Sequence, residues 1–190
     1  MPYRYEIRLA GSGGQGLILA GVILAEAAGI YDGKHVCQTQ SYGPAARGGA
    51  SKAEVVISDE EIDYPQAMRP DVLLAMNQKS LDIYLHDLKP EGLLIVDGTL
   101  VQEVPVTGAV AIPFTQIARQ ELGREVVANI VALGALAALT KAVSLKSLEA
   151  AVLGRVPPHT RELNQKALQA GVDAARRLMR KAKKQLIPGE

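Results

Sequence analysis

The chain has no tryptophan, one phenylalanine and one cysteine among its 190 residues. A lone Cys37 can close no internal disulfide, and it cannot hold an iron–sulfur cluster, which needs several thiolates. It sits in a strand-like run and is expected to be a buried, inert thiol. The three histidines, His35, His86 and His159, stand far apart, so there is no paired ligand spacing such as His-Glu-x-x-His. The formal net charge is only +1, and no global field favours nucleic acid or an acidic membrane. No apolar run reaches the ~20 residues that a bilayer requires. The longest, Val126–Leu139, reads instead as a central helix buried on several faces. Met1-Pro2-Tyr3-Arg4 lacks an apolar core of signal-peptide length, so a cytoplasmic location is expected. No general acid–base pair, nucleophile triad or metal cluster emerges, and no catalytic residue or metal ligand is assigned. The chain is expected to serve an activity centred on another polypeptide.

What is present begins with Gly11-Ser12-Gly13-Gly14-Gln15-Gly16, set between a strand-like run, Tyr5–Ala10, and a helix-like run, Leu17–Ala28. A helix behind a glycine loop offers unpaired N–H groups and the positive end of its dipole, so an anionic group is the natural guest. Three readings stay open on spacing alone: a dinucleotide site, a phosphate cradle, and glycines that serve only a tight turn. A dinucleotide site also wants a carboxylate about 20 residues on, at the end of the second strand. That strand, His35–Ser41, ends in Cys37-Gln38-Thr39-Gln40-Ser41-Tyr42 without an acid; Asp32 precedes it.

Further strands are expected at Ser51–Ser58, Asp71–Met76, Gly92–Val96 and Ala109–Pro113. Helices are expected at Gln78–His86, Thr115–Leu122, Val126–Ala142, Ser144–Leu153 and Thr160–Lys184, with Ser144 as a cap. Strands that alternate with helices and read as continuous aliphatic runs predict an α/β, three-layer Rossmann-like domain. Its sheet should be mainly parallel with helices on both faces, the C-terminal part helical, and residues 1–190 one domain. His35–Ser41 and Ser51–Ser58 follow each other closely enough to allow one antiparallel hairpin.

Ligands in such sheets gather beyond the carboxyl ends of the strands. That rule groups Gly11–Gly16, Gln40–Gly49, Asn77-Gln78 and Asp97-Gly98-Thr99. In Ser41-Tyr42-Gly43-Pro44-Ala45-Ala46-Arg47-Gly48-Gly49 the glycines allow a tight fold, and Arg47 offers a planar fork of donors for a phosphate or carboxylate. The bland alternative pairs Arg47 with the acidic stretch Asp59–Asp63. Asp97-Gly98 reads as an ordinary turn, Asn77 as a helix cap, and Asn129 as a buried amide bracing a neighbouring loop. The basic run Arg176–Lys184 is either the solvated face of a helix or a docking surface for an acidic partner.

Together, Gly11–Leu17, Ser41–Gly49, Ile57-Ser58-Asp59-Glu60-Glu61-Ile62-Asp63-Tyr64-Pro65 and Asn129-Ile130-Val131-Ala132-Leu133-Gly134 carry a family resemblance. Over residues 4–182 the chain resembles the gamma subunit of 2-oxoacid:ferredoxin oxidoreductases. The Tyr42-Gly43-Pro44 form of the second loop is most similar to the 2-oxoglutarate type; pyruvate and branched-chain or aryl 2-oxoacid relatives are the alternatives. The resemblance implies conversion of a 2-oxoacid and coenzyme A to an acyl-coenzyme A and carbon dioxide, with electrons passed to ferredoxin. It implies alpha, beta and delta-type companions that hold thiamine diphosphate and the iron–sulfur clusters, and an isolated chain that is inactive. Gly11, Gly13, Gly14, Gln15, Gly16, Ser41, Arg47 and Gly48 are the residues it assigns to coenzyme A. A scaffold subunit with no ligand and a free-standing nicotinamide enzyme are the rival readings. Whether the isolated chain forms a homodimer through surfaces that companions cover stays open.

Overall fold

The computed structural model describes residues 3–42 and 50–186. Strand β1, Arg4–Ser12, alternates across a sheet: Ile7 and Leu9 enter the main apolar layer, and Ala10 enters a smaller one on the other face. After the glycine loop comes α1, Leu17–Glu26, extended by a π-helical turn, Ala27–Tyr31, so the expected helix is wider at its end. Asp32, just beyond, accepts from the Ser144 N–H at 2.8 Å and the Ser147 hydroxyl at 2.6 Å. Burial pushes the Asp32 carboxyl up, but these bonds outweigh it and hold the group below the usual carboxylate range.

Strands β2, His35–Tyr42, and β3, Ala50–Ser58, form the antiparallel hairpin that their close succession allowed. β3 also runs antiparallel to β1, with Ala50 opposite Ser12. On the other side of β1, strands β4 (Val72–Ala75), β5 (Leu93–Asp97) and β6 (Val110–Ile112) pair in parallel. The order is β2-β3-β1-β4-β5-β6 and only β3 runs against the rest, as expected of a mainly parallel sheet.

The helical layers are unequal. Helix α2, Gln78–Tyr84, covers one face, where Leu81 meets Ala10, Leu73, Ala75, Leu94 and Val96. Asn77 caps it, accepting the Ser80 N–H at 2.8 Å. The opposite face carries α1 with α3 (Phe114–Gln120), α4 (Ala128–Thr140), α5 (Leu145–Arg155) and α6 (Arg161–Leu186). Every residue of α4 from Ala128 to Ala137 is buried, because α1, α3, α5 and α6 all pack on it. Ile130, Val131, Leu133 and Leu136 each contribute about 1.5–3 kcal/mol there. Ser144 caps α5 through the Ser147 N–H at 3.1 Å, as its sequence position predicted.

The β1–β3–β2 part of the α2 face is polar. Arg8, only 3% exposed, donates from Nε to Glu54 at 2.8 Å and from Nη2 to the Ala67 carbonyl at 2.8 Å. Its Nη1 pairs with Asp87, and Tyr84 lies 5.3 Å from the guanidinium. Lys52 completes the cluster at 2.8 Å from Glu54. A buried cation costs a great deal unless it is paired and hydrogen-bonded, and each of the three guanidinium nitrogens here has a partner. Cys37 is half-buried rather than buried, because β2 is an edge strand.

Candidate functional site

The glycine loop closes on itself before it can meet anything else. The Gln15 N–H reaches the Ser12 carbonyl at 3.3 Å, and the Gln15 side-chain oxygen accepts the Ser12 N–H at 2.7 Å. The same oxygen accepts from Asn77 Nδ2 at 3.3 Å, while Gln15 Nε2 donates to the Met76 carbonyl at 3.2 Å. Gln15 thus ties the ends of β1 and β4 together where the connections diverge to the two sides of β1. Both ends of its amide are engaged by the chain itself.

The glycines divide by environment. A Cβ on Gly11 would stand 2.6 Å from Leu17 Cδ1 and 3.3 Å from Met76 Cβ, so this glycine lets helix and strand approach. Gly16 is left-handed at φ 71°, and a Cβ there would meet Asn129 Nδ2 at 2.5 Å. That amide donates to the Gly16 carbonyl at 3.0 Å, the loop-bracing role read from its place in an apolar helix. Around Gly13 and Gly14 nothing stands within 4 Å of an added Cβ, and both are exposed. Behind them α1 starts with no side-chain cap and no acid in its first turn, so its leading N–H groups keep their capacity for an anion.

A cavity of about 260 Å³ opens beside this loop, lined by Gly14, Gln15, Met76, Thr115, Glu125 and Val126, among others. Glu125 is held by Arg119 at 2.6 Å, and Val126 is 73% exposed. Asp97 is more than a turn residue. It is fully buried, accepts the Thr99 N–H at 2.9 Å and the Thr115 N–H at 3.2 Å, and also bonds the Thr115 hydroxyl. Its carboxylate fixes the start of α3 over the end of β5.

Of the sequence-assigned residues, Gly11, Gly13, Gly14, Gln15 and Gly16 form one loop, and Asn77 joins it. Ser41 does not. It pairs across β3 with Lys52, which pairs with Ala10, so two strand spacings, roughly 10 Å, separate it from β1. Ser41 lines a separate polar cleft with Thr39, Lys52 and Glu54. Arg47 and Gly48 lie outside the described residues. The segments that flank them end at Tyr42 and restart at Ala50, opposite Ser12. Asp59–Asp63 follows the far end of β3, eight residues of strand, about 26 Å, from Ala50.

The buried Arg8–Glu54 pair was missed by sequence reading. The available signal was a charged residue at inward-facing positions of two strands, Arg8 and Glu54, which fall in register. The direction of β3 also weakens the dinucleotide reading. The strand beside β1 presents its start, Ala50-Ser51, at the glycine-loop end, where a dinucleotide fold presents a strand end with a carboxylate. Among the described residues, no three His, Cys, Asp or Glu side chains cluster as a metal site would need, and no helix is long and apolar enough to cross a membrane.

A mixed six-stranded sheet with one reversed strand, helices on both faces and a self-braced glycine loop define a three-layer α/β domain. The chain belongs to the pyruvate ferredoxin/flavodoxin oxidoreductase family, whose model matches residues 6–174. It is 53% identical over 180 residues to the 2-oxoglutarate synthase subunit KorC of Methanocaldococcus jannaschii, covering 92% of this chain and 96% of the relative. The crystal structure of the keto/oxoacid ferredoxin oxidoreductase gamma subunit from Geobacter sulfurreducens matches with TM-score 0.82 and 54% identity, over 90% of this chain and 98% of that one. The 2-oxoglutarate:ferredoxin oxidoreductase from Magnetococcus marinus, with 2-oxoglutarate, coenzyme A and succinyl-CoA bound, matches with TM-score 0.79 and 26% identity. The chain covers 31% of that longer polypeptide and is itself covered over 91% of its length.

Proposed function

We propose that the chain is the gamma subunit of a multi-subunit 2-oxoglutarate:ferredoxin oxidoreductase of the cytoplasm. The complex would convert 2-oxoglutarate and coenzyme A to succinyl-coenzyme A and carbon dioxide and pass two electrons to ferredoxin. The observation that carries this reading is the match along nearly the whole length of a 2-oxoglutarate synthase subunit. Thiamine diphosphate and the iron–sulfur clusters belong to alpha, beta and delta-type companions, so the isolated chain is inactive. One cysteine in the whole chain supports that division of labour. The placement of a homologous segment within a longer polypeptide in the Magnetococcus enzyme supports a working position beside further protein.

Within the complex, the glycine loop meets the phosphates of coenzyme A. Gly13 and Gly14 leave open space where a side chain would otherwise stand, over the uncapped start of α1. Arg47, on the connection between β2 and β3, supplies positive charge to the same group. The experiment compares Gly13→Leu and Arg47→Ala with the unsubstituted complex. The apparent KM for coenzyme A should rise about tenfold or more, as expected for loss of one charge-assisted contact, while coenzyme A-independent decarboxylation of 2-oxoglutarate is spared. An unchanged KM would reject the contact. The exposed Val126 beside the loop favours a second reading, in which this end of the sheet packs on a companion subunit. Gly13→Leu would then block assembly instead of raising KM.

A further inference from the structure

The burial of helix α6 stops well before the helix ends. Ala167, Leu168, Val172, Ala174 and Ala175 are buried, but every described residue from Arg176 to Lys183 is exposed. Eight helical residues span about 12 Å. This length carries Arg176, Arg177, Arg180, Lys181 and Lys183, with no acid from Arg176 to Leu186. Arg176 and Arg180, and Arg177 and Lys181, are like charges four residues apart, a spacing that destabilises an isolated helix. Among the described residues, none of these five cations forms an ion pair. Asp173, one turn earlier, is hydrogen-bonded by Gln169. A helix end that is charged with one sign and largely exposed gains most when an opposite charge covers it.

We infer that the exposed end of α6 is a docking surface for an acidic face of a companion protein; this rests on the reading of the chain as a subunit of a larger complex. Charge complementarity selects the sign of the partner. A groove beside the helix selects its class: Ile112, Ile117 and Ala174 form an apolar floor, Arg177 and Lys181 stand at its edge on α6, and one acid, Glu121, lines it from the end of α3. On the other flank, Lys141 lines a second cleft with Arg176 and Met179 and widens the basic patch. An apolar centre inside a charged rim is the make-up of a protein–protein interface. Nucleic acid is less well served, because no aromatic residue lies along this stretch for bases to stack on. A lipid surface is also disfavoured, because Leu178 and Met179 are the only exposed large apolar side chains between Arg176 and Lys183.

The test uses the co-expressed complex with the chain unsubstituted or carrying R177Q, R180Q, K181Q and K183Q together. The dissociation constant for the companion subunits is measured across a sodium chloride series. The unsubstituted chain should bind more weakly as salt rises; the variant should bind about tenfold or more weakly at low salt, with a flattened salt dependence. The isolated variant should melt no lower than the parent, since like-charge repulsion has been removed, which separates lost docking from lost folding. Equal affinity and equal salt dependence for the two chains in an assembled complex overturn the inference but leave the subunit reading standing. Failure of the unsubstituted chain to assemble overturns both. Weakened binding to heparin or to phosphatidylglycerol vesicles, with assembly unchanged, also overturns it and assigns the patch to nucleic acid or lipid.

Discussion

Glycine does opposite things in two parts of this molecule. Gly134 in α4 and Gly171 in α6 are enclosed: a Cβ on Gly134 would stand 2.2 Å from the Leu168 carbonyl oxygen, and one on Gly171 would stand 1.9 Å from that of Val131. Glycine inside a helix costs about 1 kcal/mol relative to alanine, so its presence there needs a reason, and the facing backbone supplies one. Gly13 and Gly14, in the loop before α1, have nothing within 4 Å of an added Cβ. In the helix pair the chain itself excludes a side chain. In the loop it does not, and no described atom of the chain gives a steric reason for bare backbone at Gly13. Glycine spacing alone does not separate the two cases; the atoms opposite each glycine do.

The comparison breaks most visibly at Gly171. Alanine there places a methyl group against the Val131 carbonyl and 3.0 Å from the Ala135 nitrogen, both backbone atoms that no rotamer change can move. Gly171→Ala should destabilise the chain by about 3 kcal/mol or more, read as a fall in the urea midpoint with the slope unchanged. A loss below about 1 kcal/mol would mean that α4 and α6 can separate cheaply, and that their close contact is not what requires glycine.

The same contrast explains what could be read from the sequence. Among the described residues, periodicity locates the six strands and six α-helices to within a few residues, because aliphatic runs and end signals such as Asn77 and Ser144 are local. The membrane-like run is a buried helix, as its short length implies, and α4 is covered on all sides. The sequence allows the reversed hairpin without requiring it, because pairing direction depends on contacts between residues far apart, such as Ser12 with Ala50. The Arg8–Glu54 pair escapes for the same reason: each residue looks like a solvated charge until register sets them together. At the site, the glycine loop is legible as a unit. Its internal use of Gln15, and the distance that isolates Ser41, need the sheet order. Asp97 looks like a turn because the residue that satisfies it, Thr115, lies 18 positions away.

Asn129 joins the two regions, since it belongs to the enclosed helix and braces the open loop. It is 4% exposed, donates to the Gly16 carbonyl at 3.0 Å, and its oxygen accepts the Ile130 N–H at 2.9 Å. Asn129→Ala leaves the Gly16 carbonyl without this donor, at a cost of about 1–2 kcal/mol in unfolding experiments. The more telling readout is hydrogen exchange at the start of α1. Protection there should fall while that of the α4–α6 contact holds, because the tight helix pair does not depend on this amide. Equal loss in both would mean that loop and helix pair unfold as one unit, and the contrast between them would be one of packing only.

The smallest effects lie in the loop itself, and they discriminate because they are small. Gly14 has φ 89°, a left-handed conformation that alanine adopts only with strain, so Gly14→Ala should cost about 1 kcal/mol with no clash involved. Gly13 has no such φ, and Gly13→Ala should change stability by less than about 0.5 kcal/mol, or raise it slightly by restricting the unfolded chain. Thermal melts of the two variants, run with Gly134→Ala as the enclosed control, order the glycines by the cause of their bareness: backbone contact, backbone conformation, or neither. If Gly13→Ala proves as costly as Gly14→Ala, the loop needs that glycine for its own fold, and the case for a visitor at this position loses its physical basis. If it is neutral in the isolated chain yet raises the coenzyme A requirement of the assembled complex, the bare backbone at Gly13 answers to a group that the chain does not itself contain.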